Sequence, residues 1–203
     1  MHSAASSTLR PGARASGAAR ALGRIAILLR LLLLAALALL APVHAATPEL
    51  TGFELIRGED GLHLDYAINF ELPRGAEEAL NKAVPLYFVA EAEVFRNRWY
   101  WRDKRVASTA RSWRIVFQPL TFTYRVTFAG LSQSYSSRAE AFAAIRRGVH
   151  WKIAEAGQLE EGANHYVEFN FRLDTSLLPR PMQIGIGDQP DWALAVERVQ
   201  RVD

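Results

Sequence analysis

Guanidinium groups alternate with aromatic rings in Phe95-Arg96-Asn97-Arg98-Trp99-Tyr100-Trp101-Arg102-Asp103-Lys104-Arg105, and the pattern runs on to Arg111, Trp113 and Arg114. Seven basic residues stand against one acid between Arg96 and Arg114, a local charge of +6. Arginine forks bind carboxylate and phosphate through paired hydrogen bonds, while indole and phenol rings attract cations and tolerate a half-wet surface. A segment with both suits a phosphate-bearing or acidic partner. Arg96, Arg98, Trp99, Tyr100, Trp101, Arg102 and Arg105 are therefore the candidate binding residues. The competing reading is structural: a hairpin whose arginines lie over its own aromatics and pair with Glu91 and Glu93.

Glu91 and Glu93 share one face of a strand at about 7 Å, a separation that suits an inverting glycosidase. Alternating glutamates beside arginines are also ordinary ion-pair partners, so the pattern favours no catalytic role. Glu77-Glu78 and Glu160-Glu161 read as solvated charges. Of His63, His150 and His165, only His63 has a second metal-type ligand nearby, Asp65 on the same face, and one His with one Asp does not make a metal site. Gly185-Ile186-Gly187-Asp188 opens like a dinucleotide fingerprint, but the third glycine is missing and too few residues follow for a βαβ unit. Ser132 and Ser134 follow Gly130 without the closing glycine of a nucleophile elbow and read as loop. The expectation is a protein with no catalytic residue, no metal and no cofactor.

Strands must position these residues. Leu62, Leu64, Tyr66, Ile68, Phe70 and Leu72 alternate with His63, Asp65, Ala67, Asn69 and Glu71, the period of a strand with one buried face. With the turn Gly58-Glu59-Asp60-Gly61 they predict a hairpin over 51–72. Pro73, Arg74 and Gly75 break it, and 76–84 reads as a short helix stopped before Pro85. Strands are expected over 86–95, over 99–106 turning into 111–117, and, after Pro119, over 120–128. Ser137-Arg138-Ala139-Glu140 has capping-box spacing ahead of a helix to about Arg147, with Gly148 as its terminator.

A short strand over 149–154, a polar loop over 157–162 and an alternating strand over 166–173 come next, the last with Val167, Phe169, Phe171 and Leu173 on one side. Leu178-Pro179-Arg180-Pro181 reads as a rigid extended connection, and 192–199 fits either an edge strand or a terminal helix. The fold class expected is mainly β: an antiparallel β-sandwich-like domain capped by two short helices, after an N-terminal signal peptide.

That leader carries Arg10, Arg14, Arg20 and Arg24 ahead of an apolar run from Ile25 to Leu40, broken only by Arg30, with no acidic residue. The basic-then-apolar order, and Val43 and Ala45 at the −3 and −1 positions before Ala46, predict a cleaved signal peptide over 1–45 and a single β-rich domain over 46–203. An uncleaved anchor needs about 20 apolar residues, and the uninterrupted stretch from Leu31 to Ala41 has eleven. A membrane-tethered sensor module is accordingly the weaker alternative. The chain has no Cys, so the N-terminus is not of the lipid-modified kind, and a domain of this size can be held by a single core without disulfides. All 21 acidic residues and all but five of the 24 basic ones lie after Ala45, which puts the mature domain at −2. Its charge gives no ground for a nucleic-acid partner.

Glu93-Val94-Phe95-Arg96, Thr123-Tyr124-Arg125-Val126, the capped Ser137-to-Arg147 segment, Leu173-Asp174-Thr175-Ser176-Leu177-Leu178-Pro179-Arg180-Pro181 and Asp191-Trp192 together resemble a family of proteobacterial exported proteins described as a domain of unknown function and sometimes labelled proline-rich signal peptide protein. The resemblance covers nearly all of the mature chain. It implies no activity, cofactor or catalytic residue. Members are often encoded beside a two-component sensor kinase, which implies a periplasmic or membrane-surface partner. The functional expectation is a non-enzymatic periplasmic binding or accessory protein. Its basic aromatic strip would contact an acidic or phosphate-bearing envelope protein, lipid or glycan, with a sensor kinase among the candidate partners and membrane contact compatible with the strip. An envelope glycan hydrolase using Glu91 and Glu93 is the alternative from another class.

Overall fold

The computed structural model describes residues 47–100, 102–183 and 189–202. The expected leader over 1–45, Trp101 and Gly185-Ile186-Gly187-Asp188 lie outside the described residues. Among the described residues, the strands are β1 (Glu49–Gly58), β2 (Gly61–Asn69), β3 (Leu86–Arg96), β4 (Lys104–Gln118), β5 (Thr123–Phe128), β6 (Leu131–Tyr135), β7 (Arg147–Glu155), β8 (His165–Leu173) and β9 (Ala195–Val202). They pair antiparallel into a three-stranded sheet, order β1-β2-β7, and a six-stranded sheet, order β6-β5-β4-β3-β8-β9. Helices α1 (Arg74–Asn81) and α2 (Arg138–Ala143) and the single turn α3 (Arg180–Gln183) complete the domain, which is the mainly β, sandwich-like class expected.

Period-two patterning explains the core. Leu62, Leu64, Tyr66 and Ile68 on β2, Leu86, Phe88, Ala90, Ala92 and Val94 on β3, and Val167, Phe169, Phe171 and Leu173 on β8 are all buried. The two faces meet through rings, Tyr66 on Phe169 at 4.9 Å and Phe53 on Phe169 at 5.5 Å between centroids. The β1–β2 turn forms where expected, Gly58 pairing with Gly61. Gly61 has φ +142, and a Cβ there would lie 2.1 Å from the Ala154 carbonyl oxygen, so only glycine allows β7 this close. Pro73 opens α1, which buries Ala76, Ala79 and Leu80.

Several elements depart from the sequence reading. The region expected as 99–106 turning into 111–117 is one continuous strand, β4, because β3 pairs with it from Lys104 to Ile115 and a register shift between Val94 and Phe95 absorbs the irregularity. The strand expected over 120–128 begins only at Thr123. Pro119 starts a turn in which Leu120 and Phe122 are exposed, with Phe122 at φ +52. Ser132 and Ser134 belong to a strand rather than a loop, since Ala129 and Gly130, at φ +48 and +80, form a tight two-residue turn that lays β6 against β5.

The Ser137 helix stops at Ala143 rather than Arg147, although its cap is as expected, the Glu140 N–H donating to Ser137 Oγ. Gly148 is a β7 residue facing the Tyr66 ring, not a helix terminator. The connection expected to be extended through Pro181 turns helical at Arg180. Of the two readings of the C-terminal segment, the edge strand is the one realised, as β9.

Three strands cannot cover six. β1 runs beside β9 and β7 reaches β4, while α2 lies against β5 and β6. The inner face of β4–β6 therefore opens into a groove.

Candidate functional site

The basic aromatic strip occupies the β3–β4 hairpin and its connecting loop. Three contacts fix the loop. The Asn97 N–H donates to the Asn164 carbonyl at 2.9 Å, the Arg98 N–H donates to Asp103 Oδ1 at 3.1 Å, and the Tyr166 hydroxyl donates to Asp103 Oδ2 at 2.9 Å. Phe95 stacks on Tyr166, centroids 5.2 Å apart and planes 12° apart. Burial first, and then the Asp103 carboxylate that holds its proton, push the Tyr166 hydroxyl up to about 12.

At the tip Trp99 is 91% exposed and Tyr100 69% exposed, rings edge-to-face at 5.1 Å. Indole and phenol surface left in water on a pinned loop is the form a contact residue takes.

The arginines divide into two groups. Arg96 is ion-paired with Glu160, and Arg105 Nη1 lies 2.6 Å from Glu93 Oε1, which also accepts from Ser108. Among the described residues Arg98, half-buried, and Arg102, exposed, form no ion pair. Of the ion pairs that the structural reading expects, Arg105 with Glu93 is present at the base of the hairpin, whereas Arg96 pairs with Glu160 and Glu91 with Arg172. Arg111 and Trp113 leave the strip altogether: both point to the inner face, Trp113 buried against Phe128 at 5.1 Å and 15°. Alternation along β4 dictates this, since inner positions oppose Ala90 and Phe88.

Glu91 is not paired with the strip. Arg172, from β8, donates to both its oxygens at 2.6 and 2.9 Å, and this fork holds the Glu91 carboxyl below the usual carboxylate range despite some opposing desolvation. Glu93 faces Glu168 across the β3–β8 ladder, and with Glu197 these acids rim a depression of about 300 Å³.

His63 lies 3.5 Å from Asp60, whereas the Asp65 carboxylate accepts from the His150 backbone N–H at 2.7 Å. Among the described residues no three His, Asp or Glu side chains are placed to hold a metal ion.

His165, 3% exposed, has no hydrogen-bond partner at Nε2 among the described residues. Its burial, joined by the charges of Arg57 and Arg96 and opposed by the Ala163 carbonyl, lowers its pKa. The unfolded chain then takes up a proton near pH 6.5 that the folded protein refuses, so stability falls as pH drops from about 7 through 6.5 and levels off below the folded value. Urea midpoints measured at pH 7.5 and 5.5 should show this fall, and His165→Gln should reduce it; an unchanged slope would refute the assignment.

What sequence reasoning missed is the grouping of Arg111 with Tyr66, Phe128 and Trp151. Arg111 Cζ lies 5.0 Å from the Trp151 ring and 5.9 Å from that of Phe128. Four separate strands bring these residues together, and no local signal in the sequence announces it.

No curated protein and no solved structure matches the chain. One family model does, across residues 45–202, the whole β-rich region just described. The chain belongs to that uncharacterised family, the Domain of unknown function (DUF4390).

Proposed function

We propose that this protein is a non-enzymatic binding or accessory protein of the cell envelope, exported through its N-terminal leader, that captures an acidic or phosphate-bearing partner with the tip of the β3–β4 hairpin. The observation that carries the reading is the exposed Trp99–Tyr100 pair, held on a loop pinned by Asp103 and flanked by Arg98 and Arg102 without counter-ions among the described residues. Aromatic anchors beside unpaired guanidinium groups are the residues that dominate binding energy at interfaces. Arg96 and Arg105, already neutralised by Glu160 and Glu93, serve to stiffen the hairpin. A hydrolytic role for Glu91 and Glu93 is disfavoured because Arg172 occupies both oxygens of Glu91 and Arg105 is paired with Glu93, so neither carboxylate is free to act on a substrate.

The test is capture from envelope extracts with the protein as bait. The combined change Arg98→Ser, Trp99→Ser, Tyr100→Ser and Arg102→Ser should abolish capture while moving unfolding stability by no more than about 0.5 kcal/mol per position. Capture by the parent should weaken as salt rises. Undiminished capture by the quadruple variant would refute the proposal, and so would its failure to fold.

A further inference from the structure

Next to the groove under β4, β5 and β6, on the far side of Phe128, lie two polar side chains, Arg111 and Tyr66, without an acceptor among the described residues. Arg111 lies on the inner face of β4, half-buried between the Trp151 and Phe128 rings. The causes acting on its charge are burial, which lowers its pKa, and Tyr66; among the described residues no carboxylate acts on it. Tyr66 is 3% exposed and its hydroxyl has no partner among the described residues. Burial pushes that hydroxyl well above its ordinary value, with Arg111 opposing, so it remains a donor. A desolvated cation and a buried hydroxyl, both donors, are costly unless an acceptor meets them.

Beyond Phe128 the surface changes character. A cavity of about 480 Å³ is lined by Trp113, Val126, Phe128, Leu131, Tyr135 and Ala144, together with the polar Ser132 and Gln133. It is predominantly apolar, falls in the size range of small-molecule sites, and is open along one side, where Leu131 is 79% exposed. Phe128 belongs to both regions, stacked on Trp113 in the groove and touching Arg111 at its end.

We propose that this groove binds a small amphiphile, a linear apolar chain that lies along the inner face of β5 and β6 and ends in a carboxylate held by the Arg111 guanidinium with the Tyr66 hydroxyl as second donor. A planar carboxylate matches the arginine fork, and its negative charge supplies what Arg111 lacks. The chain replaces water over Val126, Leu131 and Tyr135. The site faces the inside of the sandwich, away from the hairpin tip, so it stands or falls separately from the envelope-partner reading.

Palmitate, below its micellar concentration, is titrated into the full chain, with tryptophan fluorescence and calorimetry as readouts. Saturable one-to-one binding is expected, because Trp113 lines the groove and Trp151 flanks Arg111. Hexadecanol should bind about tenfold or more weakly, the factor expected for losing hydrogen bonds to a charged group. Acetate should not bind measurably. Arg111→Met should lower palmitate affinity by the same factor, leave hexadecanol affinity unchanged, and not lower the unfolding midpoint. Leu131→Asp, at an exposed position, should weaken both long-chain ligands in a folded protein. Equal palmitate affinity for the parent and Arg111→Met, no palmitate binding at all, or a dimer joined along β6 that palmitate does not dissociate would overturn the proposal.

Discussion

Phe88→Ala should cost about 3–5 kcal/mol of folding stability, the range for emptying a large aromatic site in a packed core. Phe88 has no exposed surface. Its ring lies 5.5 Å from Phe70 and 5.9 Å from both Phe142 and Phe171, so it joins the end of β2, helix α2 and β8 to β3. No neighbouring side chain is free to fill the space, because the same rings pack on one another, Phe70 lying 5.8 Å from Phe142 and 5.6 Å from Phe171. A domain stable by about 5–15 kcal/mol would lose a large share of its margin. The urea midpoint should fall with little change in slope, and Phe88→Leu should cost much less. A loss under about 1 kcal/mol would mean that these rings do not form one cooperative core.

Gly148→Ala is expected to destabilise by about 3 kcal/mol through overpacking, although it adds only one methyl group. A Cβ at Gly148 would lie 2.2 Å from Tyr66 Cε1, 2.7 Å from Cζ and 2.8 Å from Cδ1. The ring cannot withdraw, since Trp151 is edge-on at 6.2 Å and Phe169 packs at 4.9 Å. The control is Gly157→Ala, where an added Cβ meets nothing within 4 Å and restricting the unfolded chain should make the change neutral or slightly stabilising. Similar costs at both positions would show that the Tyr66 ring does not rest on the β7 backbone. The strain from Gly148→Ala should also displace the Tyr66 hydroxyl, so any residual folded protein should bind palmitate less tightly than the parent.

Both substitutions bear on how the two faces of the six-stranded sheet are used. The outer face is ion-paired, Arg172 with Glu91 and Arg105 with Glu93, and such exposed pairs contribute little stability each. The inner face carries the core and, where the smaller sheet ends, the groove.

Strands with one buried face were legible in the residue pattern alone. The alternation around Leu62–Phe70 and Val167–Leu173 survives in the structure because period two is a property of the extended backbone, readable from neighbouring residues alone. Also legible in the sequence were the Gly58–Gly61 turn and the Ser137 cap, whose chemistry lies within four residues. Less local features were out of its reach. Alternation from Leu120 onward looked continuous, yet the turn after Pro119 and the tight Ala129-Gly130 turn decided where β5 starts and that β6 exists.

The arginines of the strip were legible as a charge cluster, but not their partners: Glu160 for Arg96 lies 64 positions away along the chain, and Arg111 parts from its neighbours because β4 turns alternate residues to opposite faces. The packing of a three-stranded sheet on a six-stranded one is what sets Arg111 between Trp151 and Phe128, with no carboxylate of the described residues acting on it. Spatial neighbours set burial and charge pairing, and in an antiparallel sandwich those neighbours come from strands far apart in the sequence.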